Sequence, residues 1–137
     1  MNKIYKYLLL TLILASAGFL TIQHYLDPIY NVKVGKDVNL DDNRIENWGG
    51  RFSDDDNIFI GFNTRLDEGA EITVRIFNDE VGSFGGTVRY ISVEKDENFY
   101  WFAMSGDISP GKYIVNFKID NIVIESTTFI IDIKEVE

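Results

Sequence analysis

The fold is decided by residues 107–121, which read DISPGKYIVNFKIDN. Pro110-Gly111 is a turn pair, because Pro presets φ at the first corner of a type II turn and Gly supplies the positive φ of the second. From Lys112 onward apolar side chains recur at every second position, with Asn116 and Lys118 between them, which is the period of a half-buried strand. The stretch therefore predicts a turn followed by a strand with one face in a core.

The strand continues into a hairpin. Asp120-Asn121 predicts a two-residue loop, because Asp and Asn both tolerate left-handed backbone conformations. With an unbroken ladder after that loop, the apolar side chains of Phe129 and Ile131 would fall on the solvent side of the sheet, since a slip of one residue moves every side chain across it. We therefore predict a β-bulge or a break between Glu125 and Thr128 that returns these side chains to the core.

The spacing Ile108-x-Pro110-Gly111-x-Tyr113 resembles the pattern that opens the sixth strand of immunoglobulin-like and fibronectin-III-like β-sandwiches. In those families a Tyr enters the strand and its hydroxyl bonds back to the backbone a few residues upstream, as a tyrosine corner. The resemblance implies that Pro110, Gly111 and Tyr113 form a structural corner. The chain has no Cys, so it departs from antibody domains, which carry an inter-sheet disulfide.

Other segments also have the length and the alternation of β-strands, with turn signals between them. These segments are residues 31–40, 57–63, 71–78, 88–94 and 99–104. Residues 44–56 are predicted to be an irregular loop, and no helical periodicity follows Pro28. The sequence predicts an all-β fold: a single antiparallel immunoglobulin-like β-sandwich of about seven strands, preceded by one N-terminal hydrophobic helix.

The N-terminus has the pattern of an export signal. Lys3 and Lys6 precede an uncharged stretch, and the segment from Tyr7 to Leu26 is about long enough to span a bilayer as a helix. We predict that residues 1–27 form an uncleaved signal-anchor and that residues 28–137 form an extracytoplasmic domain of a single-pass protein of the cell membrane, with its N-terminus inside. The alternative is cleavage near Ala17, which would leave a secreted or periplasmic domain.

Composition excludes several classes of function. The net charge is −9, so the protein should repel phosphate backbones, and we expect no nucleic-acid binding. The one histidine, His24, lies inside or just beyond the hydrophobic segment, and cysteine is absent. A nucleophilic triad therefore cannot be assembled in the folded domain, and for want of His and Cys we expect no zinc site. We expect neither an enzyme nor a cofactor.

The acidic run Asp54, Asp55 and Asp56 could supply oxygen ligands to calcium at one end of the domain. Three adjacent acids cannot all point at one ion, however, and their spacing matches no EF-hand loop. The alternative is a solvated acidic loop before a strand, and we favour it. We therefore predict no metal site.

Aromatic side chains give the one functional signal of the sequence. Alternation places Phe99 and Trp101 on one face of their strand and Tyr100 and Phe102 on the other, and only one face can pack into a core. An uncovered face would be an aromatic platform, so Trp48, Tyr100 and Trp101 are the candidate binding residues. The structural alternative, which we favour, is that Trp101 is the core Trp of a sandwich and that Tyr100 is covered locally.

These patterns predict a non-catalytic accessory module that binds a protein partner at the membrane or cell envelope. The alternative function is a carbohydrate-binding module, because exposed Trp and Tyr serve sugar stacking and protein hot spots alike.

Overall fold

The computed structural model describes residues 27–80, 82, 86–104 and 108–134. This part of the chain is all-β and consists of nine strands. The strands are β1 (Ile29–Asn39), β2 (Arg44–Trp48), β3 (Arg51–Ser53), β4 (Phe59–Thr64), β5 (Glu71–Asn78), β6 (Thr87–Ser92), β7 (Phe99–Ala103), β8 (Gly111–Ile119) and β9 (Ile122–Asp132). No helix among these residues is long and apolar enough to cross a membrane. The predicted anchor, Tyr7 to Leu26, and the alternative cleavage site near Ala17 lie outside the described residues.

The strands form two sheets. The four-stranded sheet has the order β2-β1-β4-β7, and the five-stranded sheet has the order β3-β9-β8-β5-β6. All pairings are antiparallel except one, because β3 runs parallel to β9, with Phe52 opposite Ile131. The prediction of a wholly antiparallel fold is therefore wrong at this edge.

Two strands were missed within residues 44–56, which the sequence predicted to be irregular. The first, β2, forms a hairpin with β1, in which Ile45 lies opposite Val38. The second, β3, has three residues and finds its partner far along the chain in β9. Both strands are short, and the Gly49-Gly50 pair between them is typical of a loop, so the sequence pattern did not predict them. Asn47 of β2 also has a positive φ, which is uncommon for a residue other than glycine. The described chain therefore has nine strands instead of about seven.

One hydrophobic core lies between the inner faces of both sheets. Every second side chain of β4 enters it from the four-stranded sheet, and every second side chain of β5 and β8 enters it from the other. Phe62 of β4 and Phe117 of β8 meet edge to face, with ring centroids 5.0 Å apart. This contact joins the two sheets at the centre of the core.

The closing hairpin confirms the prediction of a bulge and corrects its position. Asp120 and Asn121 both have positive φ, at 51° and 66°, as a type I′ two-residue loop requires. The register then shifts within the first few pairs, where Lys118 lies opposite Val123 and Phe117 lies opposite Glu125. The extra residue is Ile124, so the bulge comes before the predicted interval. Phe129 and Ile131 are buried, as predicted.

The chain bends at Pro110 before β8, and Gly111 has the positive φ that the sequence predicts. Gly111 has a φ of +144°, which favours glycine, and it already begins the strand, one residue before the predicted start. The Tyr113 hydroxyl donates a hydrogen bond to the Ser109 carbonyl at 2.6 Å. The Tyr113 ring stacks on Phe129 with centroids 5.3 Å apart. The predicted bond from this tyrosine back to the backbone upstream is therefore present, and it fixes the turn after Pro110.

Candidate functional site

The candidate site is the outer face of the four-stranded sheet. Ile60 and Phe62 of β4 point into the core, so Phe59 and Gly61 point outward. Strand pairing extends this face sideways, because Gly61 lies opposite Trp101 of β7. We call the outward side chains of this sheet the aromatic face; they are Lys33 and Gly35 of β1, Trp48 of β2, Phe59, Gly61 and Asn63 of β4, and Phe99, Trp101 and Ala103 of β7.

Ile45 of β2 fills the middle of the aromatic face. Its side chain is 4% exposed although it does not belong to the main core. A Cβ added at Gly35 would lie 2.5 Å from the Ile45 side chain, and one added at Gly61 would lie 2.6 Å from it. The β1–β2 hairpin therefore packs onto the sheet because two glycines leave room for this isoleucine. A Gly inside a strand often marks such a close approach. Gly61, inside the predicted strand 57–63, was the sequence signal for this contact.

Trp101 is 41% exposed on this face. Its ring packs edge to face on Phe59, with centroids 5.9 Å apart and an angle of 61° between the planes. The interpretation of Trp101 as the core Trp is therefore wrong. Its neighbours Tyr100 and Phe102 pack against the core instead. The sequence could not choose between the two faces of β7, because both carry large aromatic side chains.

Trp48 lies on the same face at the far edge of the sheet and is 61% exposed. The Lys33 ammonium lies 3.8 Å from the centroid of its ring, in a cation–π contact. The contact holds one side of the indole and leaves much of the ring in solvent. Trp48 and Trp101 thus share a face, as the sequence prediction requires, with Ile45 between the strands that carry them.

Tyr100 does not belong to the aromatic face. Its ring stacks on the buried Phe62, with centroids 5.9 Å apart. Its hydroxyl accepts a hydrogen bond from the Glu94 amide at 2.8 Å and donates one to the Glu97 carbonyl at 3.2 Å. Tyr100 therefore anchors the loop between β6 and β7 and is removed from the set of candidate binding residues.

A groove of about 330 Å³ opens beside Trp101. Phe99 and Trp101 form its apolar part, and Leu40 and Asn43 of the β1–β2 turn form one wall. The rest of its lining is polar and consists of residues 96–98 of the loop that Tyr100 holds. Leu40 is 62% exposed, so the apolar surface extends from Trp101 onto the hairpin. Leu40 and Asn43 were not predicted as site residues, since only folding of the hairpin brings them beside β7.

The acidic run after β3 forms no metal site in the described structure. Asp55 pairs with the Lys134 ammonium at 2.6 Å, and Asp54 accepts a hydrogen bond from the Lys134 amide. Asp56 accepts a bond from the Ser53 amide at 2.8 Å and lies 3.5 Å from Lys36. Asp54 and Asp55 both bond to Lys134, and Asp56 bonds to Ser53 and Lys36, so each carboxylate already has a cationic or N–H partner. No group of three metal-ligating side chains exists within the described ranges.

The pKa shifts of Asp55, Lys134 and Glu46 arise from hydrogen bonds and ion pairs within the fold. The Lys134 ammonium lowers the pKa of Asp55, and Asp55 in turn raises the pKa of Lys134. Hydrogen bonds from Asn39 and then Arg44 lower the pKa of Glu46. Each shift favours the charged form, whereas a general acid needs a carboxyl whose pKa is raised. The shifts therefore reflect the ion pair and the hydrogen bonds of these three side chains.

Comparison with known proteins adds no family and no curated relative to these observations. No protein-family model matches the sequence, and no curated protein matches it.

Proposed function

We propose that this chain is a non-catalytic interaction module, held at the outer face of a membrane by its N-terminal segment, and that it binds a protein partner through the aromatic face. The observation that carries the proposal is the exposure of Trp48 and Trp101 on one sheet face together with Leu40. Trp is the residue most enriched at protein hot spots, and exposed apolar surface of this kind typically marks an interaction site.

Strand order supports an immunoglobulin-like sandwich as the fold of the module. In that architecture the strands named C, F and G share one sheet, and A, B and E share the other. The order β9-β8-β5 corresponds to G-F-C, with Tyr113 on the strand that bears the tyrosine corner. The order β1-β4-β7 corresponds to A-B-E. The strands β2, β3 and β6 are additions to this pattern, with β6 extending the five-stranded sheet beside β5.

The membrane location rests on the sequence from Tyr7 to Leu26, which is uncharged at pH 7 apart from any charge on His24. With strand β1 beginning at Ile29, only a few residues separate the end of that segment from the domain. A partner bound to the aromatic face would therefore meet the module close to the membrane surface. The alternative, cleavage near Ala17, gives the same module free of the membrane.

The test is crosslinking of the full-length protein in native membranes followed by pull-down. We expect Trp101→Ala and Trp48→Ala to lose the captured partner. The matched control is Tyr90→Ala, since Tyr90 is 82% exposed and lies on the five-stranded sheet. Its substitution should leave capture of the partner unchanged. Equal capture by all three variants would contradict the proposal, and so would turnover of a substrate by the purified protein.

A carbohydrate ligand is the second candidate, and the groove beside Trp101 favours it. The groove combines an indole with the side chains of Asn43, Asp96 and Glu97, which can bond sugar hydroxyls. Trp48 lies outside this groove, so a glycan-array signal should depend on Trp101 and Asn43 and survive Trp48→Ala. Loss of the signal in Trp48→Ala as well would argue against binding in the groove.

A further inference from the structure

Strand β7 is an open edge of the four-stranded sheet. It pairs with β4 on one side, and no described strand pairs with it on the other. An edge of this kind presents unpaired N–H and C=O groups that can pair with another chain.

The register shows which groups face outward. At the two ends of the ladder the Met104 amide donates to the Ile58 carbonyl, and the Thr64 amide donates to the Asn98 carbonyl, both at 2.9 Å. Because hydrogen-bonded and non-hydrogen-bonded pairs alternate in an antiparallel ladder, Tyr100 and Phe102 bond to β4. The N–H and C=O groups of the remaining residues, Phe99, Trp101 and Ala103, therefore point away from β4.

Nothing in the strand protects this edge. The residues Phe99–Ala103 carry no charge, no Pro and no Gly. The edge strand β6 of the other sheet differs, because Arg89 lies opposite the buried Val74 and so points to the inner side of that sheet. An inward charge on an edge is a common device against pairing with another chain. Strand β6 thus has an inward charge that opposes pairing with another chain, and strand β7 has none.

We propose that β7 pairs antiparallel with β7 of a second copy, with Trp101 opposite Trp101 and Phe99 opposite Ala103. In this register every outward N–H of one copy meets an outward C=O of the other, since each hydrogen-bonded pair exchanges two bonds. The contact is isologous, with a twofold axis normal to the sheet through Trp101. The placement of the outward groups favours a second copy as the occupant, because Phe99, Trp101 and Ala103 are centred on Trp101 and so complement themselves in antiparallel pairing, and the uncharged strand brings no like charges into register.

The dimer joins the two four-stranded sheets into one continuous sheet. It also doubles the aromatic face, because both Trp101 rings lie on the same side of the joined sheet, each beside its own Phe59. The pairing uses backbone groups, so it is independent of any ligand that the Trp101 side chain binds.

The absence of native cysteine makes the register directly testable. Paired residues of a hydrogen-bonded pair have Cα atoms about 5.5 Å apart, within the range of a disulfide. In the full-length protein, purified in mild detergent, we expect Trp101→Cys to form a covalent dimer on oxidation. Ala103→Cys is the matched control and should stay uncrosslinked, because Ala103 faces Phe99 of the other copy. Equal crosslinking of both variants, or of neither, would overturn the proposed register.

Sedimentation of variants without cysteine gives the second measurement. Ala103→Pro removes an outward N–H without removing a ladder bond to β4, so it should weaken the dimer by about tenfold or more. Ser92→Pro is the control: the bond from the Val93 amide to the Ala70 carbonyl shows that the Ser92 amide faces the open edge of β6. We expect Ser92→Pro to leave the dimer unchanged. A monomeric parent protein, or equal weakening by both variants, would refute the proposal.

These outcomes are separable from those of the proposed function. Trp101→Ala keeps its backbone amide, so it should lose the protein partner and keep the dimer. Ala103→Pro keeps both indoles, so it should lose the dimer and keep contact with the partner.

Discussion

The outer face of the four-stranded sheet carries Ile45, Phe59 and Trp101, whereas the outer face of the five-stranded sheet carries Thr73, Asn116 and Ser126. On the five-stranded sheet the Ser126 hydroxyl donates to the Asn116 side chain at 2.8 Å, and the exposed Tyr90 lies opposite Thr73. On the four-stranded sheet the β1–β2 hairpin covers only the middle of an apolar surface, and Trp101 stays partly exposed. The inner faces pack into one core, so the difference between the two sheets lies in their outer faces.

The largest expected effect tests the hydrophobic core that the two sheets share. Phe117→Ala removes the ring that meets Phe62 at the centre of the core. We expect a loss of about 3–5 kcal/mol in the free energy of unfolding, because truncating a buried Phe leaves a cavity. Urea denaturation of the full-length protein in detergent, followed by fluorescence and by circular dichroism, measures it. Separate transitions for the two probes would contradict a single core common to both sheets.

A glycine substitution measures how tightly the aromatic face is packed. Gly61→Ala places a Cβ 2.6 Å from the Ile45 side chain, so we expect a loss of about 1–3 kcal/mol from overpacking. Gly50→Ala is the matched control, since nothing lies within 4 Å of the added Cβ. Denaturant midpoints of the two variants give the comparison. Equal midpoints would mean that the hairpin does not pack on the sheet.

Each sheet has one tyrosine whose hydroxyl fixes a backbone turn. Tyr113→Phe removes the bond to the Ser109 carbonyl, and Tyr100→Phe removes the bonds to Glu94 and Glu97. We expect each variant to lose about 1 kcal/mol of stability, the usual net value of a hydrogen bond. Hydrogen exchange should in addition quicken at the Glu94 amide in Tyr100→Phe only. An unchanged rate there would contradict the anchoring of the β6–β7 loop by Tyr100.

The smallest effect is the pH dependence of the exposed ion pair between Asp55 and Lys134, which joins the segments after β3 and β9. The pKa of Asp55 is lowered from 3.8, so its pairing with Lys134 stabilises the fold above about pH 3.8 and is lost as the pH falls further. The Lys134 pKa is raised from 10.5, so the lysine contribution is present below that pH and is lost above it. Thermal melts should show a slightly lower Tm for Asp55→Asn at pH 7 and no difference below the folded pKa. A difference that persisted in acid would place its cause elsewhere.

Local sequence predicted the closing hairpin well, because its determinants lie close together along the chain. Pro110-Gly111 sets the turn, and Asp120-Asn121 sets the loop. The burial of Phe129 demands a bulge that the pattern alone could foresee. The position of that bulge was wrong because the extra residue is Ile124, which is itself apolar and so leaves no mark in the pattern.

The candidate site was predicted only in part. Trp48 and Trp101 were identified from their residue type, but the sequence could not say which face of β7 enters the core. That choice is made by the partner strand, since Phe62 and Ile60 of β4 bring Tyr100 and Phe102 inward with them. Leu40 and Asn43 reach the groove only because the hairpin folds over two glycines.

The sequence by itself determined an all-β domain and the corner at Tyr113. It also shows that residues 28–137 contain no Cys and no His, and so no residues for a Cys- or His-based catalytic triad. These follow from residue types and from short-range alternation, which act within a few residues. Tertiary structure alone decided the parallel strand β3, the inward turn of Tyr100, the burial of Ile45 and the open edge of β7. Each of these depends on which distant segments pair, and pairing energy is shared across strands that the chain brings together only when it folds.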